Sequence, residues 1–314
     1  MPICPIVLTF VVMKIKANKV FSFTGHSGSV YALMEKGNKV YSGSSDKFMA
    51  LWNLETLAPE KLAAKFPAII YCIAEVPERN LLLVGTSAGG IHIIDTEAKQ
   101  EIKLLQNHTG PVFAMAYSEL TKSIYSVGGD GCFAVTSVET LALVKLKKLC
   151  AEKVRSLSIS HQRKEIAVAS GDGMIRTFDL ISLQELACFA AHALSANCVT
   201  YSPDQKLILS GGRDAHLNIW DATTNDIIRK IPAHTFAIYD IVFSPDAKLF
   251  ATASRDKTVK IWNAHTFDLL LRINSENHGG HVNSVNKLVW SQYNNYLVST
   301  GDDRAIMVWN IEKC

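Results

Sequence analysis

The stretch Ser254-Arg255-Asp256-Lys257-Thr258-Val259-Lys260-Ile261-Trp262-Asn263 has a near copy 42 positions upstream, Arg213-Asp214-Ala215-His216-Leu217-Asn218-Ile219-Trp220-Asp221. Aligned on the acidic residue, the phase runs through Asp130, Asp172, Asp214 and Asp256 in steps of 42, with Asp46 two steps before Asp130 and Asp303 one step plus five residues after Asp256. The missing member falls at Ala88, inside the similar Gly85-Thr86-Ser87-Ala88-Gly89-Gly90-Ile91-His92-Ile93-Ile94. Seven units therefore run from about residue 25 to the C-terminus, a repeat architecture. Six residues after each alignment point stand Trp52, Ile94, Thr136, Phe178, Trp220, Trp262 and Trp309, a large apolar residue in every unit but the third.

Length alone, 314 residues, would suggest about two domains, but a sustained period argues for one closed array. Hydrophobic residues make up 48% and charged residues 19%, a globular balance for a chain able to bury most of its apolar surface. A formal net charge of +3 lacks the broad basic stripe of a dedicated nucleic-acid binder and leaves room for local basic patches. The seven cysteines (Cys4, Cys72, Cys132, Cys150, Cys188, Cys198, Cys314) neither form C-x-x-C nor recur in phase. They read as small buried apolar residues of a reducing cytoplasm, not as a disulfide frame or a zinc site.

Residues 1–12 form an apolar extension with no basic residue before the apolar run and too few residues to cross a bilayer, so neither a signal peptide nor an anchor is read there. Met13 opens Met13-Lys14-Ile15-Lys16-Ala17-Asn18-Lys19-Val20-Phe21-Ser22-Phe23, sufficient to begin the array, which gives a single domain over 13–314. Asn107-His108-Thr109 matches a glycosylation sequon, a match without weight in the absence of export.

Each unit carries four strand-like runs. In the unit opening at Ala233-His234 they are Ile238 to Phe243, Leu249 to Ser254, Thr258 to Asn263 and Leu269 to Ile273. Ser244-Pro245-Asp246-Ala247 favours a type I turn between the first two, and Ser202-Pro203-Asp204-Gln205 repeats it. Four strands in 42 residues leave room only for tight turns, so the unit is an antiparallel meander. So small a sheet cannot bury both faces alone; stacked, twisted copies close into an all-β ring of seven blades. The chain ends on a third strand, Ala305 to Ile311, and Lys19 to Phe23 is an orphan fourth, so the N-terminal strand is expected to complete the last blade and remove the open edges.

These residues resemble the WD40 family of β-propellers: Gly25-His26, Ala191-His192, Ala233-His234 and Gly280-His281 open units, while Trp52-Asn53, Trp220-Asp221, Trp262-Asn263 and Trp309-Asn310 close third strands. The resemblance implies a seven-bladed propeller in which His, Ser or Thr, Asp and Trp form a buried network. Complete sets would be His26, Ser42, Asp46, Trp52; His192, Ser210, Asp214, Trp220; His234, Thr252, Asp256, Trp262; and His281, Ser299, Asp303, Trp309. The third unit keeps His108, Ser126 and Asp130 but has Thr136 for Trp. Units two (Phe66, Val84, Ala88, Ile94) and four (Cys150, Val168, Asp172, Phe178) depart together. Such joint loss is physical, since one missing partner strands a buried polar group whereas replacing the whole set is nearly neutral. Asp172 is then expected to cap its own turn through backbone amides.

Ser, His and Asp in one set invite a hydrolase reading, but catalysis needs such a set once and here it recurs, so the role is structural and no catalytic residue is assigned. His278-Gly279-Gly280-His281 could chelate, yet His281 belongs to the network and no Cys or carboxylate pattern completes a metal site. The glycine clusters lie between strands, outside the strand-to-helix context of a phosphate loop, so no cofactor is read. The Trp-Asp-x-Arg or Lys motif of cullin-type ubiquitin-ligase receptors is absent from Trp220-Asp221-Ala222-Thr223 and Trp262-Asn263-Ala264-His265.

Function is left to the narrower face, which family members often use for partners. The residue five after each His position points there: Tyr31, Tyr71, Phe113, Arg155, Asn197, Tyr239 and Asn286, joined by Arg213, Arg255 and Asp302 before the turn Asp and by Lys153 beside Arg155. Aromatics and arginines around a pore have the composition of a protein-binding hot spot; packing against the neighbouring blade is the competing role. The reading is a cytoplasmic, non-catalytic scaffold, monomeric by itself, for protein or peptide partners, with the basic members favouring acidic or phosphorylated ones. No metal or membrane contact is expected. A reader of single-stranded nucleic acid or phosphopeptides on the Arg/Tyr-rich face is the alternative, and a propeller enzyme a lesser one. The extra residues around Asn274 to His278 are the individual feature of the last unit, since loop insertions cost a fold little.

Overall fold

The computed structural model describes residues 14–313 as seven four-stranded antiparallel sheets in a ring. The apolar extension 1–12, with Cys4, and the terminal Cys314 lie outside the described residues. Blade 1 consists of Val30–Lys36, Lys39–Ser44, Phe48–Asn53 and Ala58–Lys65, numbered outward from the pore, and blades 2 to 6 repeat this order. In blade 7, Val285–Trp290, Tyr296–Gly301 and Ile306–Lys313 are followed outward by Ile15–Phe23 from the other end of the chain. That closing strand pairs from Ile15 with Lys313 to Phe23 with Ile306, and so begins four residues before the orphan strand read in the sequence.

Burial is greatest in the second strand of each blade and falls away outward, while the innermost strand is partly open to the pore. The second strand of blade 6, Leu249–Ser254, is buried along its whole length, while outermost strands such as Ile227–Pro232 are mostly exposed. The core is a set of layers between blades and has no single centre. Leu209, Leu217 and Ile219 of blade 5 meet Ile238, Phe250 and Trp262 of blade 6, and equivalent layers occupy the other six junctions. At roughly 1.5–3 kcal/mol for each large side chain removed from water, these layers hold the blades together. Phe23 of the closing strand is 2% exposed and packs on Trp52 with ring centroids 5.1 Å apart, so the chain termini also seal the junction of blades 7 and 1.

At the inner hairpin of blade 6, the Ala247 amide donates to the Ser244 carbonyl at 2.9 Å and the Ser244 hydroxyl to Asp246 at 2.7 Å, the local bonds that Ser and Asp bring to such turns. The insertion in the last unit folds into a single helical turn, Ser275–His278. Asn274 caps it by accepting from the Asn277 amide, and Gly279 ends it at φ +62°, a left-handed conformation that suits glycine. Lys19 Nζ donates to the Gly279 carbonyl at 2.7 Å, tying the insertion to the closing strand.

Candidate functional site

In every blade the innermost strand slips by one residue against the second strand, and the skipped residues are Tyr31, Tyr71, Phe113, Arg155, Asn197, Tyr239 and Asn286. A β-bulge leaves one residue outside the ladder and re-aims its side chain. All seven of these side chains line one cavity of about 420 Å³ at the mouth of the pore, together with Asp302.

The mouth is divided into sectors. Over blades 1 to 3, Tyr31 stacks on Tyr71 at 5.1 Å and Tyr71 meets Phe113 edge-on at 5.2 Å. The Arg155 guanidinium of blade 4 lies over Phe113 at 5.6 Å, in cation–π range. Asn197, expected to be exposed, is buried at 9% because its amide donates to the Ile238 carbonyl of the next blade at 3.0 Å. Asn286 likewise donates to the Val30 carbonyl across the junction of blades 7 and 1, and to Asp302 at 2.8 Å. These two asparagines staple blades, whereas the Tyr239 side chain forms no hydrogen bond among the described residues.

The remaining sequence-derived positions separate in space. Lys153 and Arg213 line an adjoining cleft of about 450 Å³ that they share with Arg155. Arg255 lies further out, with its guanidinium 5.9 Å from the exposed ring of Phe236. The sequence reading missed the pair one step below the mouth, where Lys287 Nζ bonds Asp240 Oδ1 at 2.9 Å and Asp240 also accepts from the Leu288 amide. Burial acts to lower the Lys287 pKa, but the Asp240 carboxylate outweighs it and holds it above the usual value. The available signal was a charged residue directly after the bulge in blades 6 and 7, where the other five blades have Ala, Ser or Cys.

Behind the mouth, four blades carry the same chain of bonds. In blade 6 the Trp262 indole donates to Thr252 Oγ1 at 3.0 Å, His234 Nε2 lies 2.7 Å from that oxygen, and His234 Nδ1 is 2.8 Å from Asp256. The ionised Asp256 carboxylate can only accept, so His234 Nδ1 carries a proton, and burial favours the neutral ring, which leaves Nε2 to accept the threonine hydrogen. The Asp256 carboxylate also accepts from the Thr235 and Thr258 amides. The same contacts link Trp52, Ser42, His26 and Asp46, Trp220, Ser210, His192 and Asp214, and Trp309, Ser299, His281 and Asp303.

Blade 3 retains the bonds from His108 to Ser126 and Asp130, and Thr136, in the Trp position, receives the side-chain amide of Asn107 at 2.7 Å. The sequon asparagine is thus engaged in the blade. In blade 4 the Met174 amide caps onto Asp172, but the principal partner is Arg176, whose Nη2 lies 2.6 Å from Oδ2. The turn-cap expectation omitted this ion pair. In blade 2, Phe66, Val84 and Ile94 pack in an apolar layer and Phe66 meets His92 edge-on at 5.1 Å. No group of three or more metal-binding side chains occurs among the described residues, and both ring nitrogens of His281 are engaged.

Residues 17–53, 183–221, 225–263 and 274–310 match the family described as WD domain, G-beta repeat. They hold blades 1, 5, 6 and 7, the four with complete networks. Four matches on a ring of seven four-stranded blades establish the chain as a member of the WD40-repeat family of β-propellers. It is 28% identical over 116 residues to WD repeat-containing protein 91 of Danio rerio, across 36% of this chain and 16% of that protein. It is 26% identical over 133 residues to the THO complex subunit 6 homolog of Danio rerio, across 38% of this chain and 41% of that protein. The WD repeat-containing protein 91 homolog of Dictyostelium discoideum is 28% identical over 94 residues, across 30% and 12% of the two chains. The matched segments span less than half of each relative.

Proposed function

We propose that the chain is a non-catalytic scaffold whose pore mouth docks a protein or peptide partner. The observation that carries this reading is the row of seven bulges, which turns one side chain per blade toward a common cavity. Membership of a repeat family and similarity to other WD-repeat proteins support the same role. A non-catalytic reading is favoured because the same histidine, hydroxyl and aspartate recur in five blades and each histidine and hydroxyl is buried out of reach of a substrate. No helix among the described residues is long and apolar enough to cross a membrane. The five described cysteines are free, in keeping with a cytoplasmic placement, and a monomer is the working state.

The test is capture of partners from native lysate by the wild type and by the double variant Tyr239→Ala, Arg255→Ala, since neither side chain holds blades together through hydrogen bonds. Capture is expected to be lost with Tm unchanged. Loss of both would assign these residues to the fold. A second reading, a reader of single-stranded nucleic acid or phosphopeptides, draws on Arg155, Arg213 and Arg255 beside the tyrosines. Steep salt dependence of oligonucleotide binding would favour nucleic acid.

A further inference from the structure

The cleft between blades 4 and 5 gathers three cations without an anionic partner among the described residues. Lys153 and Arg155 come from the start of the innermost strand of blade 4, and Arg213 from the turn after the second strand of blade 5. None of the three side chains forms an ion pair or a hydrogen bond among the described residues, whereas Arg163, Arg176 and Arg229 all do. Arg155 Nε is buried without a partner, and burial pushes the guanidinium pKa below its usual value, with Arg213 nearby adding repulsion. The acidic side chains on the cleft are Glu152 and Asp172, and Asp172 is neutralised by Arg176. Asp214, next to Arg213, turns inward to His192. The lining therefore keeps an excess of about two positive charges, close to the charge of a phosphomonoester at neutral pH.

We propose that this cleft seats the phosphate of a phosphoserine or phosphothreonine side chain on a peptide lying across the pore mouth. The inference rests on the docking reading above, because Arg155 lines both the cleft and the mouth. Two guanidinium groups offer the planar donor forks that suit phosphate oxygens, and Lys153 adds a mobile point charge. Leu194, 52% exposed on the cleft, gives a residue beside the phosphate an apolar contact. A nucleic-acid backbone is a poorer match: it requires cations in a row, while here they converge on one cleft and the mouth continues into the aromatic sector.

The experiment uses two degenerate peptide libraries, one with a fixed central phosphoserine and one with serine, passed over the immobilised full chain and over its Lys153→Gln, Arg213→Gln and Tyr239→Ala, Arg255→Ala double variants. The phosphorylated library is expected to be retained about tenfold or more over the serine library. Lys153→Gln with Arg213→Gln, both exposed, should abolish that preference at unchanged Tm. Equal retention of both libraries, survival of the preference in that variant, or displacement of the phosphorylated library by a short single-stranded oligonucleotide would overturn the assignment. Equal retention that disappears in the Tyr239→Ala, Arg255→Ala variant would remove the phosphate seat and leave the docking reading standing. Retention of neither library would remove both.

Discussion

In blade 6, Trp262, Thr252, His234 and Asp256 pass hydrogen bonds in one direction from indole to carboxylate, and each hydrogen has one destination. In blade 2 the same four positions are Ile94, Val84, Phe66 and Ala88, and the layer is apolar. Both blades have four antiparallel strands and the same bulge toward the pore. The backbone tolerates either solution because a complete set satisfies every buried polar group and an absent set leaves none to satisfy. Mixed sets need repair: Asn107 supplies a hydrogen-bond partner to the Thr136 that stands in the Trp position of blade 3, and Arg176 replaces the histidine as partner of the turn aspartate in blade 4.

The comparison breaks most sharply if one hydroxyl is taken from blade 6. Thr252→Val keeps the shape but strands His234 Nε2 and the Trp262 N–H, each at roughly 1–3 kcal/mol, so chemical denaturation should show a loss of about 3 kcal/mol. A loss below about 1 kcal/mol would mean that the relay contributes little. The reverse change, Val84→Ser in blade 2, places a hydroxyl where Phe66 and Ile94 offer no partner. It is expected to cost about 2 kcal/mol by the same measurement, and a neutral result would show that His92 or water can rebuild the relay.

Acid provides the smallest and most distributed test. Burial holds His192 and His234 below 6.5, against the opposing pull of Asp214 and Asp256. The unfolded chain therefore takes up protons below about pH 6.5 that the folded chain refuses, so stability is complete above that pH and falls as pH drops through it. Between about pH 7 and 5, Tm should fall by roughly 2–4 °C, while the ring resonances of His192 and His234 titrate at lower pH than those of the unfolded chain. A further loss follows below pH 3.8. Burial alone would raise Asp46, Asp130, Asp214, Asp256 and Asp303, but hydrogen bonds from the histidines and backbone amides hold them all lower. Flat stability from pH 7 to 5 would show that the buried imidazoles titrate as they do in the unfolded chain.

Much of the architecture was legible because repetition multiplies a weak signal. One Asp followed six residues later by Trp says little, but seven phased units fix blade count, strand order and the need for a closing strand. The seven mouth positions were also readable from their offset, although the offset does not disclose the bulges that aim them. Asn107, Arg176 and the Lys287–Asp240 pair were not legible. Each makes a contact between elements whose separation in sequence is unrelated to the 42-residue phase, or occupies a position that is something else in the other blades.

The linear pattern by itself determined that this protein is a ring of seven blades closed by its own N-terminal strand, because that conclusion depends on periodicity and on edges that must be paired. Only the tertiary structure decided which mouth residues are staples and which are free, since that depends on distances across blade junctions. Asn197 and Arg155 occupy the same place in the repeat, yet the first finds a carbonyl of the next blade while the second is left with a buried, unpartnered nitrogen. The repeat places them alike, and the chemistry of each neighbouring blade makes them different.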